Sequence, residues 1–327
     1  MSATELLVYS WNTQASFFDA NASHILQDID ARLTDQVQLI VIALQEAVKP
    51  GSHFMSLILP SHLATQGFTQ LYRSRLMGIG VTTYKALQRL DLRLRGLRLA
   101  VYARASFIED DKPSVKENYC YCSGIYRLSF GKGALSFVID LPRSLGKLRI
   151  INLHLPFDAS TLNSQDPEVR KASVRWQTKA LCDIWDAMVE PDDTFVIMVG
   201  DFNYRVCLGP GETVDDLDYS DHHRVYRERD EFLSELNDPF SLLPRLQEGV
   251  DNAGPAHGPT AKLIRGSADQ FNVGKLNRRA PSWCDRIFFA QHSRLACLAY
   301  DRCVQNPATL DSDHAAITAR FRIGLEK

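Results

Sequence analysis

The stretch Phe-Val-Ile-Met-Val-Gly-Asp-Phe-Asn-Tyr-Arg, Phe195 to Arg205, constrains the chain more than any other. Five apolar, mostly branched residues from Phe195 to Val199 read as a strand buried on both faces. Gly200 breaks the run, and Asp201, Asn203 and Arg205 follow at once. Asp201 and Asn203 are two positions apart, so in extended chain their side chains share a side. A carboxylate at the end of a buried strand is costly unless it is paired or shifts its proton affinity. A polar turn that merely stops the strand would use the same residue types. The choice depends on whether other strands end the same way.

They do. Leu6 to Asn12 is an apolar run ending in a carboxamide, and Gln38 to Glu46 is another ending in a carboxylate. Lys147 to Pro156 delivers Asn152 and His154 at its end. Lys275, Arg278 and Arg279 precede a strand that opens with Asp285, and Asp313 and His314 precede the final strand, Ala315 to Ile323. Singly, each has a bland reading, such as a turn residue or a satisfied core histidine. Gathered at one rim, they make a site with few carboxylates, two imidazoles and two amides. That set suits Mg²⁺, which takes one or two carboxylates and shares oxygens with a phosphate. It does not suit zinc, which prefers thiolates or several histidines. The fitting chemistry is attack of water on a phosphoryl group. No Gly-x-Ser-x-Gly or Cys-x5-Arg nucleophile is present, which argues against a covalent intermediate.

The remaining periodicity predicts helices over 20–33 and 166–188, a short one within Gly51 to Ala64, and a charged, solvated one over 224–236. In the longest, Val169, Ala172, Trp176, Ala180 and Ile184 are expected to face the core. Strands are expected over 68–76, 96–104, 124–130, 134–141 and 148–155, and a loop over 249–274. No repeat, heptad or composition break divides the 327 residues, so one domain over 1–327 is expected. A net charge of -2 offers no global field for nucleic acid. Seven scattered cysteines without metal-ligand spacing read as reduced thiols of a cytoplasmic protein. No apolar run is long enough to span a bilayer. Gly51 to Leu59, with Phe54 and Met55, is either a membrane-contact loop at a peripheral protein or a buried helix.

Gly-Asp-Phe-Asn-Tyr-Arg (200–205) and Arg-Ala-Pro-Ser-Trp-Cys-Asp-Arg-Ile (279–287) resemble the two signature motifs of the inositol polyphosphate 5-phosphatases. Trp11-Asn12, Gln45-Glu46, Gly131-Lys-Gly-Ala134, Asn152-Leu-His154, Pro259-Thr-Ala-Lys262 and Ser312-Asp-His314 extend the likeness, in the family's order, over nearly the whole chain. The resemblance implies an α+β fold: the deoxyribonuclease-I-like four-layer α/β/β/α sandwich of two mostly antiparallel sheets. It implies that Asn12 and Glu46 bind Mg²⁺, that Asp201 activates water and that Asn203 orients it. His154 and His314 would donate to phosphate oxygens, Asp285 would hold His314, and Asp313 would sit beside the metal. Lys262, Arg278 and Arg279 would grip the neighbouring phosphate, with Asn152 and Arg205 among the substrate contacts. The implied activity is removal of the 5-phosphate from phosphoinositides or soluble inositol polyphosphates. The alternatives are another phosphodiesterase of this fold, a sphingomyelinase or abasic-site endonuclease, or an inactive phosphoinositide-binding module. Four positions depart from the family pattern. The usual His-Leu-Ala-Ala-His is His154-Leu-Pro-Phe-Asp158, and Gly131, Ala261 and Phe271 replace an Asn, an aromatic and a Tyr.

Overall fold

The computed structural model describes residues 3–14, 18–48, 54–80, 93–108, 115–121, 132–142, 145–158, 166–209, 211–236, 246–265, 267, 270–272, 280–303 and 312–324. Two sheets stack face to face. The first runs β11-β12-β1-β2-β4-β3, with β1 Thr4–Asn12, β2 Val37–Val48, β3 Phe68–Gly80, β4 Arg93–Arg104, β11 Leu295–Arg302 and β12 Ile317–Ile323. The second runs β5-β6-β7-β8-β10-β9, with β5 Val115–Tyr121, β6 Gly133–Leu141, β7 Gly146–His154, β8 Phe195–Asp201, β9 Leu246–Glu248 and β10 Asp285–Ala290. Each sheet has a parallel pair at its centre, β1 with β2 and β7 with β8; the other pairs are antiparallel. This is the deoxyribonuclease-I-like sandwich that the motifs imply.

The side-chain period of two decides what each strand gives to which layer. In β8, Phe195, Ile197 and Val199 enter the core between the sheets, while Val196 and Met198 pack outward. The same alternation sends Leu6 and Val8 of β1 inward and Leu7, Tyr9 and Trp11 outward. Each such aliphatic, fully buried, contributes about 1.5–3 kcal/mol, which is why strands buried on both faces read as continuous apolar runs. Helices α1 (Phe18–Asp30) and α2 (Leu59–Thr65) cover the outer face of the first sheet through Ile25, Ile29, Leu59 and Leu63. The short α3 (Ala105–Ile108) follows β4. Helix α4 (Pro167–Met188) covers the second sheet.

Three expectations need correction. The buried stripe of α4 is Val174, Gln177, Thr178, Leu181, Ile184 and Met188, and Val169 is 41% exposed. The two polar members are buried because each bonds the segment after β8: Gln177 donates to the Phe202 carbonyl, and Thr178 Oγ1 lies 3.1 Å from the Tyr204 hydroxyl. The expected solvated helix over 224–236 is two, α5 (His222–Arg229) and α6 (Glu231–Leu236), and Asp230, Glu231 and Glu235 are buried. Of the two readings of Gly51 to Leu59, the buried one holds for Phe54 and Met55, which lie in a π-helical turn, Phe54–Ile58, and pack in the core. β5 occupies a stretch for which no strand was expected, whereas the strand expected over 124–130 lies outside the described residues.

Candidate active site

The β-ladders place three functional side chains in one row. His154 on β7 is opposite Asp201 on β8, and Asp201 is opposite Asp285 on β10. Residues paired across strands present their side chains on the same face. By alternation with Ile197, Val199, Ile287 and Phe289 this is the face toward the other sheet. Asn12 of β1 meets the row from that sheet: its Nδ2 donates to Asp201 Oδ2 at 2.8 Å. His154 Nε2 is 3.2 Å from the same oxygen. Asp285 Oδ2 accepts from His314 Nδ1 at 2.8 Å, which leaves His314 Nε2 directed toward Lys262 Nζ and Asp313 Oδ1, at 3.4 and 3.6 Å. Gly200 is required here. It has φ of 142°, and a Cβ would come within 2.0 Å of the Leu153 carbonyl oxygen on β7. Only glycine lets β7 and β8 approach closely enough to bring His154 beside Asp201.

Glu46 reaches the site by a different device. Alternation along β2 would send it outward with Ile40, Ile42 and Leu44. The β2–β4 register shifts between Leu44 and Ala47, and Glu46 has φ of 51°. This bulge turns its carboxylate inward, 4.0 Å from His154 Nε2. Asn203 also has a positive φ, 59°. Its backbone N–H donates to Asp201 Oδ1 at 2.9 Å and its Nδ2 to the Leu155 carbonyl at 3.0 Å. Non-glycine residues in the left-handed region cost roughly 1–3 kcal/mol and persist where the surroundings hold them.

The cluster fits a hard cation. One donor atom from each of Asp201, Asp285 and His314 lies within 4.8 Å of the others, but the bond to Asp285 takes His314 out of the ligand set. Buried Oδ1 atoms of Asp285 and Asp313 have no hydrogen-bond partner. Carboxylate oxygens with free lone pairs, beside a third carboxylate and an amide, are the donors that Mg²⁺ or Ca²⁺ takes.

The family model described as Endonuclease/Exonuclease/phosphatase family 2 matches residues 9–320. The chain belongs to this family. A search of curated proteins finds no match. Among solved structures, the inositol polyphosphate 5-phosphatase domain of SPsynaptojanin, in complex with inositol (1,4)-bisphosphate and calcium ion, superposes with TM-score 0.70 at 18% identity, covering 98% of this chain and 84% of that one. A Cimex nitrophorin ferrous NO complex gives 0.66 at 15% identity over 99% and 100% of the two chains. Danio rerio TDP2 complexed with single-strand DNA product gives 0.52 at 14% over 97% and 98%. At such identities the likeness establishes the fold, and membership of a family of phosphatases and nucleases indicates a hydrolase.

For this family member, the structure brings together Asn12, Glu46, His154, Asp201, Asn203, Asp285, Asp313, His314 and Lys262. Arg205 lies against them, its Nη2 donating to Asn203 Oδ1 at 2.6 Å and its guanidinium 4.6 Å from the Phe157 ring centroid. Asn152 is not available to a substrate. Its Nδ2 donates to the Leu44 and Arg98 carbonyls and its Oδ1 accepts from Gln45 Nε2, so it pins the second sheet to the first. Arg278 and Arg279 lie outside the described residues.

One neighbour was missed as a site residue. Lys132 precedes β6, where Gly133 is the ladder partner of His154, and its Nζ is in contact with His154 Nε2. Its sequence signal was its place in Gly131-Lys-Gly-Ala134, one of the segments that carry the family resemblance. Burial lowers the proton affinity of both Lys132 and His154, and Lys132 lowers that of His154 further. Burial works to raise Asp201, but His154, His314 and Lys132 outweigh it and hold the carboxyl well below its usual range. Burial alone would lower His314; Asp285 reverses this and raises it. The charged forms that result are an Asp201 carboxylate and a His314 imidazolium.

Proposed function

We propose that the protein is a Mg²⁺-dependent phosphomonoesterase that removes the 5-phosphate from phosphoinositides or soluble inositol polyphosphates, acting as a single catalytic domain in the cytoplasm. The row His154–Asp201–Asp285, closed by Asn12 from the other sheet, is the observation that carries this reading. A divalent cation held by Glu46 and Asn12 would supply charge neutralisation at a phosphate oxygen. Asp201, kept ionised and fixed by Asn12 and the Asn203 N–H, accepts a proton from the attacking water. Asn203, anchored on the Leu155 carbonyl, orients that water. His314 and His154 donate to the phosphoryl oxygens as charge develops, and Asp285, accepting from Nδ1, keeps the His314 ring charged so that its Nε2–H can donate. Lys262, paired with Asp313, marks the side from which a second phosphate is held.

The substrate reading also draws on the signature at 279–287 and on the inositol bisphosphate bound by the SPsynaptojanin domain. Phosphate release across a panel of phosphoinositides and inositol phosphates, with and without Mg²⁺, tests it. Release confined to 5-phosphorylated substrates, absent after chelation and absent in Asp201→Asn, is expected. Cleavage of abasic DNA or sphingomyelin in place of inositides would overturn it, as would release from the panel that Asp201→Asn retains. Among the described residues no helix is long and apolar enough to cross a membrane.

A further inference from the structure

The carboxamide of Asn12 can serve a cation in only one of its two orientations. Its oxygen and nitrogen ends are nearly equal in size, so their hydrogen-bond partners decide which atom is placed where. The Asn12 backbone is fixed separately: Ser312 Oγ donates to its carbonyl at 2.6 Å, and the N–H of Thr13 donates to the Gln45 carbonyl at 3.0 Å. On the side chain, Nδ2 donates to Asp201 Oδ2, and Oδ1 accepts from the Gln14 N–H at 3.0 Å. Oδ1 keeps a second lone pair, which is what a hard cation takes. Gln14 holds this oxygen from an unfavourable backbone conformation. Its φ is 47°, a left-handed value that a residue with a side chain keeps only where its surroundings hold it. One such hold comes from the far end of the chain. Arg265 Nη2 donates to Gln14 Oε1 at 2.5 Å, across 251 positions. Arg265 stands on a loop anchored at the site. Lys262 Nζ donates to Asp313 Oδ2 at 2.7 Å and the Leu263 N–H to the Asp313 carbonyl at 2.8 Å. The loop closes on itself through Ile264 N–H to the Gln270 carbonyl, at 2.7 Å, and Asn272 N–H to the Lys262 carbonyl, at 2.9 Å. Neither Gln14 nor Arg265 belongs to the segments that carry the family resemblance.

We propose that Arg265 is a positioning residue for the metal centre: bonded to Gln14, it keeps the Gln14 N–H on Asn12 Oδ1 and so presents that oxygen to a divalent cation. This rests on the reading of Asn12 as a cation ligand and not on the identity of the phosphorylated substrate. The role fixes the sign of the effect. Arg265 lies within electrostatic reach of Asp313, at the same site. Its positive charge alone opposes a bound cation, so a residue that acted only as a charge would, on removal, let the metal bind more tightly. Removal of a positioning residue weakens binding instead, as loss of the groups that orient a ligand does.

Calorimetric titration of the substrate-free protein with Mg²⁺ tests this without any catalytic readout. Wild type is expected to bind Mg²⁺, and Asn12→Ala to bind it far more weakly. Arg265→Met should lose about fivefold in affinity, the scale of one hydrogen bond. Gln14→Met leaves the charge of Arg265 and the backbone N–H in place and removes only the acceptor, so it should lose the same. The double variant should lose no more than either single one, because both break one contact. Thermal midpoints of the metal-free variants should stay close to wild type. Unchanged or tighter Mg²⁺ binding by Arg265→Met would overturn the proposal, as would losses that add in the double variant. A lower thermal midpoint at unchanged affinity would also overturn it and make the contact one of folding only. If wild type binds no Mg²⁺, or Asn12→Ala binds it equally well, the cation reading of Asn12 fails and the proposal falls with it. If Asn12→Ala weakens binding while the Gln14 and Arg265 variants do not, the metal reading stands and the positioning role alone is wrong.

Discussion

Asp285 and Arg286 are neighbours in sequence, both fully buried, on opposite faces of the same strand, β10. Asp285 faces the other sheet and holds His314. Arg286 faces outward into a closed network. Its Nη1 donates to Asp230 at 2.9 Å and its Nη2 lies 3.0 Å from Glu248, which also accepts from the hydroxyls of Tyr226 and Tyr300. The rings of Phe232 and Phe288 pack on the guanidinium. Arg286 in the outward group is paired with two carboxylates within the protein, whereas the inward group carries the Oδ1 atoms of Asp285 and Asp313 and Nδ1 of His154 without a hydrogen-bond partner. Burial alone therefore does not separate chemistry from architecture; what surrounds each group does.

Asp285→Asn is the largest expected break between the two faces. The amide keeps the shape and can still meet His314, but it no longer favours the charged ring. A loss of about 10³-fold in kcat/KM is expected, with stability changed by less than about 1 kcal/mol. Burial already raises the proton affinity of Asp285, so a neutral replacement is well tolerated. Phosphate release and urea unfolding, measured on the same preparation, check both halves. A folded Asp285→Asn with ordinary turnover would remove Asp285 from the chemistry.

Arg286→Met is the converse. It strands Asp230 and Glu248 without their cation, and breaking a buried ion pair from one side costs about 3–5 kcal/mol. The urea midpoint should fall accordingly, while kcat/KM of the folded fraction stays within a few-fold. A turnover loss equal to that of Asp285→Asn would mean that β10 transmits strain from one face to the other.

The contrast also shows what was legible beforehand. The inward residues announce themselves locally, as polar residues ending apolar runs, because a ladder places paired strand ends in one row. The outward network does not. Asp230 and Arg286 are 56 positions apart, so Asp230, Glu231 and Glu235 read as a solvated helical face until β10 supplies the partner. Glu46 was legible by motif but not by period, since alternation points it away from the site and only the bulge turns it in. The face of α4 was misread because Gln177 and Thr178 count as surface residues by type, yet both bond the segment following Asp201. Asn152 looked like a substrate contact because it shares a strand end with His154, yet the other sheet already uses its amide.

Glu231 provides a pH-dependent form of the comparison. It accepts from the Arg205 N–H at 2.8 Å, and burial pushes its carboxyl from an ordinary 4.5 up to about 7. A folded-state value above the unfolded one means that folding favours the protonated form. The contribution is complete below about pH 4.5 and falls as pH rises through about 7, because the unfolded chain ionises first. The shift corresponds to about 3 kcal/mol over that window. Glu231→Gln should flatten it, so that the variant's urea midpoint changes less than wild type's between acid and neutral pH. An unchanged pH dependence would place the proton elsewhere, with Asp230, pushed up by burial to about 6, as the next group to replace.

Arg205 touches both worlds, so its substitution is the finest test. Its backbone N–H bonds Glu231 on the architectural side, while its Nη2 holds Asn203 Oδ1 on the catalytic side. Phe157, standing where the family pattern has a small residue, packs on the guanidinium plane. Lysine keeps the charge and the backbone bond but has no planar fork that can lie on Phe157 and reach Asn203 together. If the side chain serves the cleft, Arg205→Lys lowers kcat/KM about 10-fold and moves stability by less than about 1 kcal/mol. A stability loss with turnover intact would assign Arg205 to the same architecture as Arg286. No change in either would mean that the Leu155 carbonyl alone fixes Asn203, and the positive φ of Asn203 would then need no support from its neighbour.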